Sequence, residues 1–167
     1  MRVLLVVDLQ KGFIDNESSI KVSNKIERLI NNDKYDKVIF TKFVNKDNIM
    51  YDKYVKEYGN DKDWLGLKTK DEQDFSISLP KQGEVWEKST YGLSDEDLQK
   101  IIDMQVESVD LCGLQTDACI YAIALQLFDK QIFPNILINF TATEPENFEP
   151  AKRILIKQFG KVDGRDL

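Results

Sequence analysis

The stretch that decides the fold is DLCGLQTDACIYAIALQLF, residues 110–128. A first apolar run ends at Gly113, a polar turn follows, and a second, longer apolar run begins beside Cys119. The first run has the length of a buried strand, whereas the second has the length and the apolar spacing of a helix. We therefore predict a strand, a turn at which Gly113 adopts unusual backbone angles, and a helix over residues 117–130.

The same alternation of strands and helices continues along the chain. Further strands are predicted for the apolar runs RVLLVVD, KVIFTKF, GEVWEKS and PNILIN, and a last short strand is predicted near Val162. Further helices are predicted around residues 22–30, over 94–104 behind a Ser94 cap, and over 149–159 with Pro150 in the first turn. Strands that alternate with helices form a parallel sheet with helices on both faces, so the predicted fold is an α/β three-layer sandwich.

Composition limits the class of protein. With 167 residues the chain is predicted to form one domain, 1–167, and its 42% hydrophobic and 31% charged residues are ordinary for a globular protein. A net charge of −6 disfavours nucleic acid or an anionic membrane as a partner. No apolar run approaches the roughly 18 residues of a membrane span, so we expect a cytoplasmic protein. Two cysteines are too few for a disulfide framework, and we expect both to be thiols.

The chain contains no histidine. Histidine is the commonest general base in enzymes and the commonest metal ligand in proteins. Any acid–base chemistry must therefore use other side chains, and a metal site would depend on carboxylates and thiols.

Three chemically useful side chains are predicted at the carboxyl ends of strands, where parallel sheets bind ligands. Asp8 ends the first strand, Lys88 lies at the end of the strand GEVWEKS, and Cys119 follows the strand VDLCGL. Each has an ordinary alternative: a turn residue, a solvated lysine and a buried structural cysteine. Together they would form a thiol nucleophile with a carboxylate base and a cation, which needs no histidine. Cys112 lies inside its strand and is predicted to pack in the core.

The predicted helix start affects the thiol. Thr116 or Asp117 is expected to cap the helix, and Cys119 would then lie in its first turn. Unpaired N–H groups and the helix dipole favour negative charge at that position, so we expect a lowered pKa for the Cys119 thiol.

Three motifs in the right order resemble a known family. Asp8 in VVDLQKGF, Lys88 in EKSTYG and Cys119 in GLQTDACI are similar to the signature of the isochorismatase-like cysteine hydrolases, which include nicotinamidases and related amidases. The resemblance covers nearly the whole chain. It implies a six-stranded, mostly parallel sheet of Rossmann-like order, an Asp–Lys–Cys triad, and a cis peptide bond at Leu114–Gln115.

The resemblance also implies roles for these residues. Cys119 would attack a carbonyl carbon, Asp8 would accept and return its proton, and Lys88 would keep both groups in their charged forms. The backbone N–H groups of Gln115 and Cys119 would bind the oxyanion. A small, largely apolar substrate pocket is expected above Cys119. Its expected lining is Phe13, Phe43, Trp64 and Tyr91.

The chain also departs from the family pattern. Nicotinamidases carry T-x-D-W-H after the second strand, whose Asp and His bind a metal, whereas this chain has TKFVN with Phe43 and Asn45 at those positions. Gly92 stands where the family has Ser. We therefore predict no metal and no cofactor, and a hydrolase that cleaves a C–N bond of a small amide or ureido compound. Two alternatives stay open: a pseudoenzyme or small-molecule binding module, and a nicotinamidase-type amidase with an atypical metal site.

The helix over 117–130 is apolar nearly all round. One stripe would face the sheet, and it consists of Ile120, Ile123, Ala124 and Leu127; the other consists of Tyr121, Leu125 and Phe128. A helix of this kind needs cover on both sides. Either the segment 45–82 covers the second stripe, or another subunit does. We predict a homodimer or homotetramer, which the family resemblance also implies.

Overall fold

A computed structural model describes residues 1–32, 35–44, 69–160 and 162 of the chain. Two residues named above, Asn45 and Trp64, lie outside the described residues. So does most of the segment that was considered as cover for the apolar helix.

Five parallel strands form a single sheet in the order β3-β2-β1-β4-β5. They are β1 (Val3–Val7), β2 (Lys37–Phe43), β3 (Gly83–Lys88), β4 (Ser108–Leu114) and β5 (Phe133–Ala142). The predicted α/β class is confirmed. Within the described residues the sheet has five strands rather than the predicted six, and Val162 lies outside any strand.

Helices cover both faces of the sheet. They are α1 (Glu17–Asn32), the short α2 (Lys70–Gln73), α3 (Asp95–Asp103), α4 (Cys119–Asp129) and α5 (Pro145–Phe159), with a 3-10 turn at Lys11–Phe13. Alternate residues of β1 enter two separate cores: Leu4 and Val6 pack with α1, whereas Leu5 and Val7 pack with α3, α4 and α5. This alternation explains why β1 reads as an unbroken apolar run.

The strand order places a crevice beside the central strand. The chain proceeds from β1 outward through β2 to β3, then crosses to β4 on the other side of β1. Loops that leave β1 and β4 therefore diverge, and this is where open α/β sheets bind ligands. Val7 and Gly113 are paired at the ends of these two strands.

Gly113 allows the two strand ends to meet. Its φ is +113°, and a Cβ at this position would lie 2.1 Å from the Val7 carbonyl oxygen. The pairing of β4 with β5 is also irregular between Leu111 and Gly113. Only glycine fits here, as the sequence predicts.

Helix starts agree only in part with the predictions. Ser94 caps α3 by accepting from the Asp97 N–H, as predicted. Neither Thr116 nor Asp117 caps α4, which begins at Cys119 without a side-chain cap.

The reason is that both candidate caps have other partners. The Thr116 hydroxyl donates to Thr141, and Asp117 accepts from Thr143.

The last helix, α5, begins at Pro145, so Pro150 lies inside the helix rather than in its first turn. No helix in the described parts of the chain is both long and apolar enough to cross a membrane.

Candidate active site

The three predicted side chains converge on one point. Lys88 Nζ lies 2.7 Å from Asp8 Oδ2 and 3.5 Å from Cys119 Sγ. Their residues are 1% (Asp8), 5% (Lys88) and 9% (Cys119) exposed. The carboxyl ends of β1 and β3 and the start of α4 thus supply a carboxylate, an ammonium and a thiol to one buried site.

Asp8 is held by the neighbouring strand. Its Oδ1 accepts a 2.6 Å hydrogen bond from the Thr41 hydroxyl, whose oxygen in turn accepts from the Asp8 N–H at 3.0 Å. Oδ2 forms the ion pair with Lys88 Nζ and accepts no hydrogen bond from the described residues, so it retains acceptor capacity for a proton. The φ of Asp8 is +47°, a conformation that is costly for residues other than glycine and that clusters at functional sites.

Lys88 reaches across the end of β2. Its register partner is Phe43, and its Nζ lies 5.4 Å from the centre of the Phe43 ring. The same ammonium donates to the carbonyls of Thr90 at 2.8 Å and Tyr91 at 3.3 Å. A desolvated lysine with this many acceptors is fixed in position, unlike the solvated lysine of the ordinary alternative.

The Cys119 thiol differs from the expectation. Burial raises its pKa, and the Asp8 carboxylate raises it further, while Lys88 lowers it less than these two effects together. The predicted lowering of the pKa is therefore wrong, because desolvation together with the Asp8 charge outweighs the opposing effect of the Lys88 ammonium. This direction of the pKa shift favours the neutral thiol, which must lose its proton to a base before it can react. Cys112 is fully buried in the core, as predicted, and burial also raises its pKa.

The turn between β4 and α4 contains the predicted cis peptide bond, Leu114–Gln115. The Gln115 carbonyl accepts from the N–H groups of Ala118 and Ile120. Among the backbone hydrogen bonds of the described residues, none is donated by the N–H of Gln115 or Cys119. The side-chain Oε1 of Gln115 is also buried without a partner in the described structure.

A cavity of about 320 Å³ lies above the thiol. Three of the four predicted aromatic residues, Phe13, Phe43 and Tyr91, line it, and Trp64 lies outside the described residues. The rings of Phe13 and Phe43 are 6.0 Å apart. This volume suits a small molecule.

Several residues of the site were missed by the sequence analysis. Thr41 orients Asp8, as described above. Gln10 is buried, and its side-chain amide accepts from the Phe43 N–H at 2.7 Å and donates to the Phe43 carbonyl at 2.9 Å. These two bonds connect the end of β1 to the end of β2. A polar glutamine three residues beyond the end of a buried strand was the signal that could have identified it. The cavity lining also includes the acidic side chains of Asp15, Asp117 and Glu144, which no local motif indicated.

The described part of the site does not fit the metal that the resemblance places in nicotinamidases. The Phe43 ring occupies the position at which the resemblance places a metal-binding aspartate, and a phenyl ring has no donor atom. Among the described residues, no three His, Cys, Asp or Glu side chains are grouped as metal ligands.

Solved structures with the same fold extend over the whole chain. The nicotinamidase from Bacillus subtilis is 19% identical with a TM-score of 0.75, and the match covers 96% of this chain and 97% of that one. The pyrazinamidase of Pyrococcus horikoshii, solved in complex with zinc, is 18% identical with a TM-score of 0.72 over 95% and 96% of the two chains. The N-carbamoylsarcosine amidase from Thermoplasma acidophilum is 18% identical with a TM-score of 0.73 over 99% of both chains.

At these identities, structural likeness shows the fold alone. No curated protein sequence matches the chain. The model of the isochorismatase domain, however, matches residues 2–146, which is most of the sequence. The chain is therefore a member of the isochorismatase-like hydrolase family, whose structural neighbours include amidases.

Proposed function

We propose that the protein is a metal-independent cysteine hydrolase that cleaves a C–N bond of a small amide or ureido compound through a thioester-type intermediate. The observation that carries this proposal is the position of Lys88 Nζ, 2.7 Å from the Asp8 carboxylate and 3.5 Å from the Cys119 sulfur. A nucleophile, a base and a cation within contact distance are the groups that acyl transfer requires.

The first half of the reaction forms the acyl-enzyme. Asp8 takes the Cys119 proton as the sulfur attacks the carbonyl carbon, so the thiol is deprotonated only when it reacts. Lys88 offsets the negative charge that moves between these two groups. The N–H groups of Gln115 and Cys119, which have no backbone acceptor in the described structure, stabilise the oxyanion. The C–N bond then breaks, and Asp8 returns the proton to the leaving nitrogen.

The second half releases the acid. A water molecule attacks the thioester, or the thiocarbamate if the substrate is a ureido compound, while Asp8 accepts the water proton. The C–S bond breaks and the proton returns to Cys119. The balance is one water consumed, one C–N bond cleaved, and one amine or ammonia and one acid released.

The side chains near the nucleophile favour thiol chemistry without a metal. Phe43 and the absence of histidine remove the ligand set of the nicotinamidase-type site, so we assign no step to a metal. This choice separates the proposal from the alternative of a nicotinamidase-type amidase with an atypical metal site.

A panel of small amides and ureido compounds, assayed for ammonia or amine release, tests the proposal. Cys119→Ala should abolish release, and rapid acid quenching followed by peptide mass spectrometry should find the acyl adduct on Cys119 of the unaltered protein. Release that persists in Cys119→Ala would disprove the covalent mechanism. Binding of panel compounds without any release or adduct would favour the second candidate, a pseudoenzyme or small-molecule binding module.

A further inference from the structure

The cavity above Cys119 has an acidic rim. Three carboxylate side chains, Asp15, Asp117 and Glu144, line it around the thiol. They come from the segment before α1, the turn before α4 and the residue before α5, so only the fold brings them together. Burial and then the charges of Asp15, Glu146 and Asp117 raise the pKa of Glu144, so Asp15 and Asp117 each lie within electrostatic range of Glu144.

No basic side chain belongs to the described lining of the cavity. Lys88 lies beneath it, where its ammonium contacts Asp8, Cys119 and two carbonyls. Lys11, next to the lining residue Gly12, forms an ion pair with Asp71. Residues 45–68 contain five lysines and five acidic residues, so this segment adds no net charge to the chain.

A second observation in the cavity also indicates a hydrogen-bond donor. Gln115 lines the cavity, and its buried Oε1 has no hydrogen-bond partner among the described residues. A buried acceptor without a donor costs free energy that a bound N–H group would recover. The interior and the rim of the cavity therefore both favour a ligand with N–H groups and positive charge over a ligand with a carboxylate.

We infer that the acidic rim formed by Asp15, Asp117 and Glu144 selects cationic substrates, such as small amides or ureido compounds that carry an ammonium or guanidinium group, and rejects carboxylates. The substrate class rests on the proposed function, whereas the charge selectivity of the cavity can be measured without it. Because the rim carboxylates are exposed, the selectivity should be modest at physiological salt and larger at low salt.

The first test uses the thiol itself as the probe. In a Cys112→Ala background, Cys119 is modified with 2-aminoethyl, ethyl and 2-sulfonatoethyl methanethiosulfonate, which are cationic, neutral and anionic. Each rate is divided by the rate with free 2-mercaptoethanol. We expect the corrected rate of the cation to exceed that of the anion by about tenfold at low salt, with the neutral reagent between them, and the ratio to fall as salt is added.

Substitutions in the rim test whether its carboxylates cause the cation-to-anion ratio of labelling rates. Asp15→Asn/Glu144→Gln should bring the cation-to-anion ratio towards that of free thiol. The matched control, Glu27→Gln/Asp129→Asn, removes the same charge at exposed positions outside the cavity lining and should leave most of the ratio in place. An equal corrected rate for the three reagents, or a ratio that falls as much in the control as in the rim variant, would overturn the inference.

The second test uses substrates of similar size: 4-aminobutanamide, pentanamide and succinamate. Hydrolysis with kcat/KM decreasing in the order cation, neutral, anion supports the inference. Equal or preferred hydrolysis of succinamate overturns it and leaves the proposed function intact. If a broad amide panel shows no turnover while the labelling rates keep their charge order, the proposed function fails and the charge selectivity stands.

Discussion

The Lys88 ammonium and the Asp8 carboxylate lie 2.7 Å apart, and their side chains are 2% and 1% exposed. Both charged groups are shielded from water, and each offsets the charge of the other. Removing one partner of a buried ion pair leaves an uncompensated charge, which is costlier than removing both. Substitution of either residue should therefore lower the stability of the fold as well as change the site.

This relationship predicts an unusual pattern of stabilities. Lys88→Met and Asp8→Asn should each lower the free energy of unfolding by about 3–5 kcal/mol, whereas Asp8→Asn/Lys88→Met should lower it by less than the sum of the two. Urea denaturation at neutral pH measures all three. Additive losses would show that the two charges do not depend on each other. All three variants should lack turnover.

The raised pKa of the Cys119 thiol predicts the pH dependence of its alkylation. A thiol whose pKa is raised reacts slowly near neutral pH, and its rate should still be rising steeply at about pH 10, where the rate of an ordinary cysteine levels off. Iodoacetamide labelling from pH 6 to pH 10, followed by mass spectrometry, measures this rate. A plateau near neutral pH would contradict the predicted direction of the shift.

The same electrostatics predict opposite effects of one substitution. Asp8→Asn removes a charge that raises the pKa of Cys119 and leaves Lys88, which lowers it. Alkylation of Cys119 at neutral pH should therefore become faster, by up to about tenfold for each unit by which the pKa falls, while amide hydrolysis is lost. Lys88→Met should make alkylation slower. If Asp8→Asn is labelled faster and yet is inactive, the loss of activity is due to the missing base and not to a less acidic thiol.

Removal of metal should not change the activity. Protein dialysed against a strong chelator is expected to keep its rate of amide release, and added zinc should not increase it, because Phe43 provides no ligand atom and the chain has no histidine. Activity that disappears on chelation and returns with zinc would refute a metal-independent mechanism.

Gly92 is predicted to control the position of Lys88. A Cβ at Gly92 would lie 2.5 Å from Gln126 Oε1, and the Gln126 amide holds both the N–H and the carbonyl of Leu93, at 2.8 Å and 3.0 Å. The neighbouring carbonyls of Thr90 and Tyr91 accept from Lys88. Gly92→Ala should therefore displace Gln126 and loosen this segment.

We expect Gly92→Ala to reduce kcat by about tenfold or more while the protein remains folded, because small displacements of catalytic groups are costly. Gln126→Leu should have the same effect, and both should shift the pH dependence of Cys119 alkylation by weakening the influence of Lys88. Variants with unchanged kcat and unchanged alkylation would show that the segment does not position the lysine.

Self-association remains a prediction from the apolar surface of α4. On its outer stripe, Leu125 is 36% exposed and Phe128 is 50% exposed, although the Phe128 ring contacts Phe159 at 5.6 Å between centroids. A second subunit would bury this stripe, most simply about a two-fold axis. Light scattering should give a multiple of 19.4 kDa, and Phe128→Glu should shift the mass towards the monomer. A monomer mass for the unaltered protein would exclude this prediction.

The bounds of a strand and the cap of a helix were predictable from sequence where neighbouring residues along the chain determine them. KVIFTKF became β2 with the predicted bounds, and Ser94 caps α3 as its spacing predicts. The α4 cap was not predictable, since Thr116 and Asp117 are both suited to capping. Their actual partners, Thr141 and Thr143, lie on or next to β5, and only the pairing of β4 with β5 brings them close.

For the site, the sequence alone determined which groups are available: one thiol at a helix start, a carboxylate and a lysine at strand ends, no histidine, and a glycine that lets two strands meet. These properties depend on residue type and local spacing. The tertiary structure decided the contact of Lys88 with Asp8, the raised pKa of Cys119 and the acidic rim around it. Such properties depend on distances between segments far apart in the chain and on exclusion of water, and neither is encoded in a local motif.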